Sequence, residues 1–184
     1  MPDVDLPIVS DVRSLIPPSL QRTVRRSLSR GPEAGIPARA LFGVLPIKRL
    51  IPQDVHSLLD YASGLTLAGV ALCTKAPACN AGLALGLSIT GVSLLTDYRL
   101  SLRKIIPIEV HESLDYLWGL TAIAAPFVFG YARRSPLSAF IHIAAGVKVI
   151  IGSLFTDYRA QVGVKWGKVR LAEKLPPAGA TVGA

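Results

Sequence analysis

Four apolar stretches, at about residues 57–73, 80–96, 112–131 and 137–155, constrain this chain more than any other feature. Each approaches or reaches the roughly 20 residues that a helix needs to cross a bilayer. A soluble helix of that length keeps one polar face, whereas these segments are apolar nearly all round. Composition agrees, with 51% hydrophobic and only 17% charged residues, where a soluble domain carries about a quarter charged. The expected fold is all-α, a four-helix transmembrane bundle with a basic N-terminal arm. Pro52 and Pro107 suit first helical positions, which would lengthen the first and third helices.

Arginine and lysine set the expected orientation. Residues 1–55 hold eight of them, residues 97–110 three and residues 156–184 five. The loop after the first segment has only Lys75, and the loop after the third has Arg133 and Arg134. Sixteen basic residues against three put both termini and the central loop in the cytoplasm. The same placement accounts for the net charge of +8 without nucleic acid. Cys73 and Cys79 flank the first outer loop, "CTKAPAC", in a compartment where a disulfide can persist. They read either as a bridge clipping the hairpin or as two small buried thiols.

The ends differ in character. The opening "MPDVDLPIVSDVRSL" is acidic and broken by prolines, unlike a signal peptide. Further on, "PPSLQRTVRRSLSRG" spaces Leu20, Val24 and Leu28 four apart, with Arg22, Arg25, Arg26 and Arg30 mostly on other faces. This reads as a short basic helix on an anionic leaflet, or as a solvated arm that docks on a partner protein. The tail "LPPAGATVGA" has the composition of a disordered segment.

The chain also repeats itself. "IPQDVHSLLDYASGLT" at residue 51 returns as "IPIEVHESLDYLWGLT" at residue 106, and "TDYR" at residue 96 returns at residue 156. The offsets are 55 and 60, so the second half holds five extra residues, most simply in its outer loop. Two crossings per unit make the repeats parallel, related by an axis along the membrane normal. The expected organisation is a cytoplasmic arm (1–50), two helix-hairpin repeats (51–104 and 105–160) and a cytoplasmic tail (161–184).

Over roughly residues 51–159 the chain resembles the SPW-repeat family of small bacterial membrane proteins. The likeness rests on the H-x-x-L-D-Y-x-x-G openings, the TDYR-like closings, and "AAPFVFGY", where the family has Ser-Pro-Trp and a following Phe-Gly. Pro126 is kept, but Ala125 and Phe127 replace the serine and tryptophan, and the first half reads "AGVALC" without the motif. The resemblance implies a duplicated helix pair in the bacterial cytoplasmic membrane. It implies no known enzyme activity.

His56 and Asp60, like His111 and Asp115, are i, i+4 pairs on one helix face. With Asp97, Arg99, Asp157 and Arg159 they form an expected polar layer at the cytoplasmic interface. Asp97 and Asp157 end their helices at the unfavourable dipole pole and call for a cation. Arg99 and Arg159 can snorkel to headgroups. Lys148 lies inside the fourth segment and is expected to pair with Asp115, or else with Asp60. Small residues (Gly82, Gly86 and Thr90, then Ala144, Gly146 and Gly152) suit close helix packing.

No zinc spacing, phosphate-cradling glycine loop or nucleophile with a recognisable base is present. Each histidine already has an aspartate one turn on. No catalytic, cofactor or metal site is therefore expected. The leading function is a non-enzymatic structural or accessory subunit, its partners being the bilayer and other membrane subunits or further copies of itself. The alternatives are a small transporter or proton conductor using the His/Asp layer, and a haem- or pigment-binding protein using His56 and His111.

Overall fold

Each apolar segment becomes one helix once its flanking turn is added. In the computed structural model, which describes residues 34, 35, 37, 38, 40–165, 168 and 169, four long helices are seen. They are α1 (Gln53–Leu72), α2 (Ala78–Leu95), α3 (Ile108–Val128) and α4 (Pro136–Phe155). Arg22, Arg25, Arg26 and Arg30 of the arm lie outside the described residues, as does the tail from residue 170. Pro52 and Pro107 stand one place earlier than expected, as N-caps with ψ of 142° and 145°. Extended backbone at the cap lets the ring precede the first turn without clashing with it. Pro136 does occupy the first turn of α4.

Three of the helices, α1, α2 and α4, are long and apolar enough to cross a membrane. The sequence predicts four such segments. α3 has the length, at 21 residues, but Glu109, Glu112 and Asp115 crowd its first turns. The side chains are distributed inside out relative to a soluble protein. Leu65, Leu72, Leu87, Leu120, Phe140 and Ile151 are exposed, whereas His56, Asp60, Ser93, His111, Asp115 and Ser153 are buried.

α1 packs along α2, and α3 along α4, more closely than the two pairs touch each other. Glycines set that closeness. A Cβ built at Gly86 would lie 2.7 Å from the Gly64 carbonyl oxygen, and one at Gly146 would lie 2.5 Å from that of Gly119. Neither helix pair could keep its spacing with a side chain there. The apolar core is correspondingly small-grained, with Leu67, Ala81, Leu85, Ala122, Ala125 and Ala139 buried together.

Short strands strap the helix ends. β1 (Ile51–Pro52), just before α1, pairs in parallel with β2 (Thr156–Asp157), just after α4. A single parallel bridge, Thr96 with Ile106, does the same between the end of α2 and the start of α3. Beyond them β3 (Val164–Lys165) pairs antiparallel with β4 (Lys168–Val169). Cys73 and Cys79 are free thiols, the first exposed and the second half-buried. The bridge alternative is therefore not the state seen, and neither thiol is fully buried.

Candidate functional site

The helix starts carry the site. His56 and Asp60 in the first two turns of α1, and His111 and Asp115 in those of α3, converge where the two hairpins meet. All four are at most 3% exposed. One potential ligand atom from each lies within 4.8 Å of all the others.

The closest pair joins the hairpins rather than lying within one helix. His56 Nε2 is 3.0 Å from Asp115 Oδ2 and 3.5 Å from Asp60 Oδ2. His111 Nε2 is 3.4 Å from Asp60 Oδ2 and 3.4 Å from Asp115 Oδ2. The i, i+4 spacing does put each pair on one face. The inter-hairpin partner is invisible to spacing, which gives faces but not neighbours. His111 Nε2 nevertheless has no well-aligned hydrogen bond among the described residues.

Hydroxyls surround the quartet, and sequence reasoning missed them. Thr96 Oγ1 is 2.9 Å from His111 Nδ1, and Thr156 Oγ1 is 3.0 Å from His56 Nδ1. Ser93 donates to Asp60 Oδ2 at 2.9 Å, and Ser153 to Asp115 Oδ2 at 3.1 Å. Tyr158 donates to Asp115 Oδ2 at 2.7 Å, its oxygen 3.1 Å from His56 Nε2. Burial, and then the Asp115 carboxylate, raise the Tyr158 phenol well above its ordinary value, so it stays a donor. The signal was available: Thr and Tyr are the first and third letters of both TDYR closings, and Ser93 and Ser153 share their offset of 60.

The remaining polar residues stay outside the quartet. Asp157 meets the cations it called for, Arg159 at 2.8 Å and Arg49 at 3.4 Å. Asp97 does not. Its carboxylate accepts the backbone N–H groups of Val162, Gly163 and Val164, the shortest at 2.8 Å. Arg99 pairs instead with Asp54 at 3.2 Å across the surface. Neither this arginine nor Arg159 is left for headgroups alone.

The expected Asp115–Lys148 ion pair does not form, and no Asp60–Lys148 pair replaces it. The Lys148 ammonium donates to Ser63 Oγ and to the Leu59 carbonyl. Asp115 is already occupied by His56, Ser153 and Tyr158. On the opposite seam, between α2 and α3, Trp118 Nε1 donates to the Leu85 carbonyl at 3.0 Å and to Ser88 Oγ at 3.1 Å. Trp118 stands 55 residues after Ser63, and Lys148 stands 60 after Ser88. Each seam thus sets one large polar side chain against one serine. His142, wholly buried on α4, is held separately by the Tyr131 hydroxyl at 2.6 Å from its Nδ1.

Chemically, the quartet is two imidazoles and two carboxylates in a closed, hydroxyl-lined site. It can hold protons or a cation. No family model, curated protein or solved structure matches the chain.

Proposed function

We propose that the protein is a non-enzymatic integral membrane protein with four crossings, built as two parallel helix-hairpin repeats, that serves as a structural or accessory subunit. Its setting would be a bacterial cytoplasmic membrane with both termini inside, as the basic residues and the SPW-repeat likeness suggest. The observation that carries the reading is the inside-out arrangement, with buried His, Asp and Ser under an exposed apolar surface. Such a surface suits lipid or another membrane subunit and suits water poorly. The recurrence of the same interactions at offsets of 55 and 60 supports the duplication. Thr96–His111 matches Thr156–His56, and the Ile106–Thr96 bridge matches Ile51–Thr156.

The closed quartet favours a brace over a reaction centre, because its members face one another and are at most 3% exposed. The test is the mass of the assembly extracted from its own membrane directly into lipid nanodiscs. A fixed stoichiometry with another subunit, or several copies, is expected. A lone monomer would sink the subunit reading. Proton flux in proteoliposomes that disappears with Asp60→Asn or Asp115→Asn would put the proton-conducting reading in its place.

A further inference from the structure

We infer that His56, Asp60, His111 and Asp115 together bind one divalent first-row transition ion, zinc foremost, as a closed centre joining the two hairpins. The inference stands on the four side chains and does not rest on the accessory-subunit reading.

Proton accounting comes first. A threonine hydroxyl has one proton to give. Thr96 Oγ1 lies 2.7 Å from the Val92 carbonyl, and Thr156 Oγ1 lies 2.7 Å from that of Gly152, so each proton is committed to its own helix. The hydroxyl oxygens then accept from His111 Nδ1 and His56 Nδ1. With both imidazoles neutral, this assignment turns each Nε2 lone pair toward the carboxylates. The 3.0 Å approach of His56 to Asp115 is then a hydrogen bond only where that ring takes up a second proton. Four acceptors would face one another in a buried space, with His111 Nε2 unpartnered among the described residues. An unsatisfied buried acceptor costs about 1–3 kcal/mol. One divalent cation would satisfy both nitrogens and neutralise both carboxylates.

The spacing suits such an ion. Zinc–nitrogen and zinc–oxygen bonds of about 2.0–2.1 Å, arranged tetrahedrally, put neighbouring ligand atoms about 3.3 Å apart. The four His–Asp separations run from 3.0 to 3.5 Å, within a set of ligand atoms that spreads to 4.8 Å, so a tetrahedral ion would draw the like pairs closer together. Mixed imidazole and carboxylate ligation disfavours magnesium and calcium, which take oxygen, and copper(I), which takes sulfur. The outer ring also fits: an N–H to a hydroxyl behind each imidazole, and serine or tyrosine donors on each carboxylate, fix ligand orientation. Four protein ligands with no open position describe a structural centre, not a Lewis-acid catalyst.

The test uses the full-length chain on a histidine-free tag, with Cys73→Ser and Cys79→Ser to remove adventitious thiol ligands. Purified from zinc-supplemented cells, it should carry about one zinc per chain by elemental mass spectrometry. After chelation, cobalt(II) should give the intense visible bands of a tetrahedral ion, and zinc should bleach them. His111→Ala and Asp60→Asn should abolish the stoichiometric ion. Thr96→Val should weaken binding about 10- to 100-fold through lost orientation. Folded protein without stoichiometric zinc or tetrahedral cobalt bands would overturn the proposal, and so would full retention of the ion by His111→Ala. Should the variants not fold, the cobalt spectrum of the chain with all four ligands still decides. The count is made on the isolated chain, so a failure to find a partner subunit leaves it unaffected.

Discussion

Asp97 and Asp157 hold the same place in their motifs and meet different partners. Both close a helix at its negative pole, and among the described residues only Asp157 has arginines paired with it. Asp97 instead gathers three backbone N–H groups of residues 162–164. Charge-assisted bonds of this kind are each worth about 1.5–3 kcal/mol, so Asp97→Ala should release this segment. Proteolysis at Lys165 should quicken while the helices stay protected; unchanged cleavage would show that the carboxylate anchors nothing. Lys148 gives the opposite expectation. Among the described residues no carboxylate pairs with it, so Lys148→Met should cost little, and its coupling with Asp115→Asn in a double-mutant cycle should stay below about 0.5 kcal/mol. A larger coupling would reinstate the ion pair. The sequence made the need for partners legible at both residues. It could not supply the partners, because Val162 lies 65 residues from Asp97 and Ser63 lies 85 from Lys148.

Among the elements, the helices were legible to within a few residues because an apolar run needs no partner to declare itself. Their starts moved back by about one turn where Gln53–His56 and Ile108–His111, each carrying an acid and a histidine, joined them. Close approach was half legible. Gly86 and Gly146 stood out in small-residue stripes, whereas Gly64 and Gly119 across from them were marked only by their place in the repeated opening motif. The two kinds of glycine should respond oppositely to substitution. Gly146→Ala forces a Cβ to 2.5 Å from the Gly119 carbonyl and should cost about 1–3 kcal/mol. Gly69→Ala meets nothing within 4 Å and should gain up to about 1 kcal/mol from helix propensity. Thermal unfolding in one detergent compares them directly. Equal shifts would mean that the helix spacing is looser than drawn.

For the whole molecule, the proposed orientation makes a simple expectation. In a variant without Cys73 and Cys79, a lone cysteine at Ser135 should be labelled from outside intact cells, and one at Ser101 should not. The reverse pattern would invert the topology. The straps carry a further consequence. The start of α1 is tied to the end of α4, and the end of α2 to the start of α3, by the same parallel pairing. The threonine–histidine bonds and the His–Asp approaches across the seam therefore recur as mirror pairs, as in an isologous interface between two subunits, whereas the Tyr158–His56 contact has no counterpart at Tyr98. On the proposed duplication, the chain is a fused dimer whose peptide link across residues 100–104 is incidental to its assembly. A protease site inserted at the exposed Leu102–Arg103 should let the backbone be cut while the hairpins migrate as one species in mild detergent. Hairpins that part after cutting would show that the link itself holds them together.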